Sequence, residues 1–163
     1  MWPSDEHEEY KQLVGTLVVL WAIEKRIPQR ALGSMTIRKM HLLRGVEPDQ
    51  CYYVRSEPSV RGKRKLDLSI DPPPDLAIEI DVSGSSAEKL DRYAALGVSE
   101  VWLFDGERVN VHELTESGSY ALCEASPNLP GFPVASVGEW IQRAFESDET
   151  TWAIRFQEWV REQ

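Results

Sequence analysis

The stretch Pro72-Pro73-Pro74-Asp75-Leu76-Ala77-Ile78-Glu79-Ile80-Asp81-Val82 decides how this chain is read. The triple proline stops whatever precedes it, and then Leu76, Ile78, Ile80 and Val82 alternate with Ala77, Glu79 and Asp81. A period of two is that of a β-strand with one wholly apolar face. Working outward, Ser85 with Glu88 three residues later reads as a capping box, and Leu90, Tyr93, Ala94 and Gly97 follow at helical spacing, Gly97 supplying a stop. Val101 to Phe104 is a second apolar strand. Strand, helix and strand within about 30 residues make a βαβ unit, which predicts parallel neighbours with a right-handed crossover.

On the C-terminal side, Asp105-Gly106 signals a hairpin into Val109 to Leu114, and Ser117-Gly118-Ser119 a turn into Tyr120 to Glu124. Pro127, Pro130 and Pro133 mark a loop, Val137 to Phe145 a short helix, and Thr150 to Val160 a last helix with Trp152, Phe156 and Trp159 on one face. Upstream, a helix from about Ser4 to Lys25 has acids in its first turns and Leu13, Leu17, Leu20 and Trp21 at helical spacing, with Pro28 beyond it. Leu32 to Arg38 and Gln50 to Val54 are short strand candidates. The expected fold class is α+β with a mixed sheet: an N-terminal helix, a central βαβ unit, an antiparallel meander and C-terminal helices. One domain over residues 1–163 is expected, with a core of about 4–145 and a helical tail of about 147–163.

The chain has 163 residues, 18 Lys plus Arg and 27 Asp plus Glu, a net charge of −9. That average hides a polarity. Residues 1–70 hold 12 basic and 9 acidic side chains, a balance of +3, whereas residues 71–163 hold 6 and 18, a balance of −12. A nucleic-acid partner, which needs Lys and Arg, is therefore not excluded by the total. The longest apolar stretch, Leu13 to Ile23, is broken by Gly15 and Thr16 and is too short for a membrane span. With no basic start leading into an apolar run, and with Cys51 and Cys123 isolated, a cytoplasmic protein without disulfides or structural zinc is expected.

Glu79 and Asp81 lie on one side of the central strand, roughly 6–7 Å apart, and Asp75 shares their parity. Strands of βαβ units are normally covered on both faces, so carboxylates there belong at a cleft, beside cations, on a metal, or on a solvent-facing sheet surface. His7, His41 and His112 have no partners at diagnostic spacing and are assigned no role.

The run Pro72 to Asp81, followed by Tyr93-Ala94-Ala95-Leu96-Gly97-Val98-Ser99-Glu100-Val101-Trp102 and Phe104-Asp105-Gly106, resembles the Uma-two family of restriction-endonuclease-like proteins, within the PD-(D/E)XK nuclease superfamily. Glu47-Pro48-Asp49-Gln50-Cys51-Tyr52-Tyr53, Pro127-Asn128-Leu129-Pro130 and Trp159-Val160-Arg161-Glu162 extend the likeness over nearly the whole chain. The resemblance implies a restriction-endonuclease-like core whose carboxylates bind a divalent metal and cut a phosphodiester of nucleic acid, DNA first. Asp49 then takes the place of the first acid and Glu79 that of the second, with Mg²⁺ or Mn²⁺ as cofactor. Where the superfamily places a Lys two residues after the second acid, this chain has Asp81. Lys89, at the start of the following helix, is one substitute; Asp81 as a third metal ligand is the other. Glu9, ahead of Glu6 and Glu8, is the candidate acid of the first helix. Arg61, Lys63, Arg64 and Lys65 are expected to flank the site and contact phosphate, and a homodimer would place two sites on a duplex. The competing expectations are a non-catalytic binding module for nucleic acid or protein, and a scaffold joined through the aromatic final helix.

Overall fold

Helix α1, Asp5–Glu24, starts where the Ser4 side chain accepts a hydrogen bond from the His7 amide. The computed structural model describes residues 4–37 and 45–163. Leu13, Val14, Leu17, Val18 and Trp21 form the buried face of α1. The helix ends at Lys25, and Arg26 turns away with a left-handed φ of 54°.

Six strands follow among the described residues: β1 (Arg30–Ala31), β2 (Gln50–Tyr53), β3 (Leu76–Ile80), β4 (Glu100–Phe104), β5 (Val109–Leu114) and β6 (Tyr120–Cys123). They form one sheet in the order β1-β2-β3-β4-β5-β6. Only the β3–β4 pair is parallel, with Glu79 opposite Leu103, and every other pair is antiparallel. The fold class is therefore the mixed-sheet α+β one expected. Helix α2 (Glu57–Val60) follows β2, and helix α3 (Leu90–Leu96) joins β3 to β4. Helices α4 (Val137–Arg143) and α5 (Glu149–Arg161) close the chain.

The alternation in β3 divides two cores. Leu76, Ile78 and Ile80 pack with α1, α4 and α5 on one face, together with Trp102 and Phe104 of β4. Ala77 packs on the other face with Tyr93 and Leu96 of α3 and with Val98, Val101 and Leu103. All five residues of β3 are buried, as a strand covered by helices on both sides must be. Glu100, fully buried at the start of β4, accepts from the Trp102 indole (2.6 Å), the Ser126 hydroxyl (2.6 Å) and the Asn128 amide (2.9 Å), fastening the proline loop to the sheet.

Three local expectations need correction. The first strand is Arg30–Ala31 rather than Leu32 to Arg38, because Gly33 takes φ 58° and turns the chain out of register; Ile37 keeps one isolated bridge, to Val46. Arg38 and His41 lie outside the described residues. The helix after β3 is not capped by Ser85, whose hydroxyl meets that of Ser83 (2.9 Å); Asp81 Oδ1 instead accepts from the Ser86 amide (2.8 Å), opening a 3₁₀ turn over Ser86–Lys89. The aromatic face of α5 is not a free surface. Trp152 and Phe156 are buried in the core of this chain, the Trp152 indole donating to the Trp140 carbonyl (2.7 Å). No helix among the described residues is long and apolar enough to cross a membrane.

Gly138 marks the tightest approach in this packing. A Cβ there would overlap the Glu107 carbonyl oxygen in the β4–β5 hairpin, and backbone cannot move aside as a side chain does. Gly138→Ala is expected to destabilise the fold by about 3 kcal/mol, the upper part of the usual overpacking range. Urea unfolding checks this, and an unchanged midpoint would refute the close approach.

Candidate active site

The C-terminal end of β3, the start of β2, the first turn of α1 and the 3₁₀ turn before α3 enclose a cleft of about 500 Å³. Asp49 reaches it because it directly precedes β2, which pairs antiparallel with β3, so the two ends meet. Its Oδ2 accepts from the Ile80 amide (2.8 Å) and lies 3.2 Å from His7 Nε2. Glu79 enters from β3 with its side chain only 1% exposed. Glu79 Oε2 accepts from Lys89 Nζ (2.8 Å) and Oε1 from the Tyr93 hydroxyl. Lys89 and Tyr93 are four residues apart and so share a face of the helical segment.

Burial pushes the Glu79 carboxyl above its ordinary range, against the opposing pull of Lys89 and Tyr93. Burial and the nearby Glu79 charge also push the Tyr93 phenol up, so it remains a proton donor to the carboxylate. An acid with a raised folded pKa binds its proton more tightly in the folded state, so stability falls as pH rises from the unfolded value through the folded one. In metal-free protein, Glu79→Gln is therefore expected to gain stability relative to the parent on going from acidic to neutral pH. Paired urea titrations across that range check the sign, and a parent that instead gains on Glu79→Gln as pH rises would contradict it.

The structure thus brings Asp49, Glu79 and Lys89 together. It does not bring Asp81 with them: the Asp81 carboxylate caps the following turn and is absent from the cleft lining. Glu9 is exposed and does not line the cleft, whereas Glu6 and His7 do, because only the first turn of α1 reaches it. The basic cluster is placed at the opposite end of the sheet. Arg61 grips Glu57 through two hydrogen bonds (3.0 and 2.6 Å), and Lys63 pairs with Asp71 ahead of β3. Arg64 and Lys65 are exposed beside them, so the run of β3 from Leu76 to Glu79, roughly 10 Å at about 3.3 Å per residue, separates this loop from Glu79. Flanking of the site by residues 61–65 is therefore not observed. Two residues that touch the acids had no assigned role from sequence: Tyr93, buried behind Glu79 and legible only as four residues beyond Lys89, and His7, which lines the cleft and whose partner is 42 residues away.

Among the described residues, no three His, Cys, Asp or Glu side chains are gathered that would hold a metal ion by themselves. The donor chemistry nevertheless suits a hard divalent ion that keeps several waters. Glu6, Asp49 and Glu79 face a cleft to which Lys89 alone of the lining residues brings a formal positive charge, and additional cationic charge would favour the ionised form of buried Glu79.

Residues 1–146 match the Uma2 family, described as "Putative restriction endonuclease". The fold is similar to a crystal structure described as "a putative nuclease belonging to DUF820" from Anabaena variabilis, with a TM-score of 0.57 and 16% sequence identity over 86% of this chain and 84% of that one. None of the curated proteins matches the sequence. With nine-tenths of its length inside the family match, the chain belongs to the Uma2 family of restriction-endonuclease-like proteins.

Proposed function

We propose that this chain is a divalent-metal-dependent nuclease that hydrolyses phosphodiester bonds of DNA in the cleft formed by Asp49, Glu79 and Lys89. The observation that carries this reading is the convergence of those three side chains from three separate elements. Asp49 and Glu79 would hold Mg²⁺ or Mn²⁺. When bound, the ion would supply an acidified water and offset charge on the phosphate. Asp49 is held in place by the Ile80 amide, and Tyr93 fixes the orientation of the Glu79 carboxylate. Lys89, whose side chain is 38% exposed, can leave Glu79 and present its ammonium to the attacking water or the phosphate. It thereby occupies the role that the missing Lys two residues after Glu79 leaves open.

Because the basic loop is distant from the cleft, few phosphates would be contacted, so affinity for DNA should be weak and its salt dependence shallow. A two-fold homodimer acting in the cytoplasm would present two clefts to the two strands of a duplex. The test is incubation of purified protein with single- and double-stranded DNA in Mg²⁺ or Mn²⁺. Cleavage that chelator abolishes and Asp49→Asn removes is the expected result. DNA binding that survives both changes, with no cleavage by the parent, would instead identify a binding module.

A further inference from the structure

The His7 ring stands between two carboxylates. Its Nε2 is 3.2 Å from Asp49 Oδ2, and its Nδ1 is 3.5 Å from Glu8 Oε1. Nδ1 is buried and makes no hydrogen bond. A neutral imidazole carries a single N–H, so it can serve one carboxylate only and turns a lone pair toward the other. The conflict disappears when the exposed Glu8 side chain shifts to accept the Nδ1–H and the Nε2 lone pair goes to a cation shared with Asp49. That order of carboxylate, imidazole and metal is the usual one for histidine ligands. The spacing agrees. Adjacent donors of an octahedral ion with bonds of about 2.1 Å lie about 3 Å apart, near the 3.2 Å observed. The Ser4 cap, which accepts from the His7 amide, fixes the ring's backbone in the first turn of α1.

We propose that His7 is a nitrogen ligand of the divalent ion at the Asp49–Glu79 site, oriented by Glu8, and that it biases the site toward Mn²⁺-like ions over Mg²⁺. The proposal rests on the reading that this cleft binds a divalent ion. An imidazole adds a donor that suits transition metals better than Mg²⁺, which takes oxygen ligands and holds its water.

The test uses Mn²⁺ alone, without nucleic acid. Pulsed EPR of the full chain loaded with Mn²⁺ is compared between unlabelled and ¹⁵N-histidine-labelled protein. A histidine nitrogen coupling that changes with the label is expected in the parent and lost in His7→Gln. Mn²⁺ affinity should fall by about tenfold or more in His7→Gln, with a smaller drop in Mg²⁺ affinity, and Glu8→Gln should weaken Mn²⁺ binding without removing the coupling. Should His7→Gln fail to fold, His41→Gln and His112→Gln make the assignment: the coupling is expected to persist in both, and its loss in either would overturn it. Bound Mn²⁺ without histidine coupling, a coupling that persists in His7→Gln, or no Mn²⁺ binding would each overturn the assignment. Mn²⁺-dependent cleavage with no histidine coupling would sink the His7 assignment alone, whereas histidine coupling without cleavage would support it and count against the nuclease reading.

Discussion

Glu79→Gln is expected to lower DNA cleavage by on the order of 10³-fold, while Asp81→Asn leaves it within about twofold. Loss of a metal ligand removes several kcal/mol of charge stabilisation from the transition state, and each 1.4 kcal/mol is a factor of ten in rate. Gln matches Glu in shape, and its amide oxygen can accept from Lys89 while its amide NH2 donates to the Tyr93 hydroxyl, so the 1%-exposed position stays filled and the fold is retained. Asp81→Asn keeps an oxygen for the Ser86 amide, and residue 81 does not itself line the cleft. The pair thus separates two carboxylates that sequence spacing treats alike. Single-turnover cleavage rates at saturating metal, with thermal unfolding as a check on folding, decide it. Equal losses in both variants would return Asp81 to the metal site.

Trp152→Ala should cost about 3–5 kcal/mol of stability and leave the oligomeric state unchanged. The side chain is 1% exposed, packs within the main core and donates its indole N–H to the Trp140 carbonyl, so truncation leaves both a cavity and an unpaired carbonyl. For a chain of this size that amounts to a fall in Tm of roughly 6–20 °C. Neighbouring Trp140 stacks edge-on with Phe156, centroids 5.1 Å apart, so α5 completes the core instead of offering a surface. Calorimetry with light scattering distinguishes the two roles. A mass change with little loss in Tm would mean that the helix serves an interface after all.

What the sequence made legible tracks how local the cause is. The alternation from Leu76 to Ile80, the Gly97 stop at φ 80° and the Asp105-Gly106 hairpin each depend on a few adjacent residues, and the elements appear where expected. The two ends of β2 and β3 meet through antiparallel pairing, and that non-local step is what unites Asp49 with Glu79. It equally sends residues 61–65 to the far end, because they follow the opposite end of β2. Proximity in sequence between the two acids suggested the reverse. Asp81 shares the parity of Glu79 but lies just past the strand, where the backbone turns and an unpaired amide at Ser86 claims its carboxylate. His7 gave no signal of its own, since its meaning lies in contacts with Asp49 and Glu8 that only the docking of α1 on the sheet creates.

The most direct measurement is an anomalous difference map from crystals of the protein soaked in Mn²⁺. A single strong peak within bonding distance of oxygens of Asp49 and Glu79, with Lys89 released from Glu79 Oε2, is the expected result. A peak elsewhere, or none at all with the Lys89–Glu79 ion pair still in place, would contradict a metal-dependent nuclease centre in this cleft.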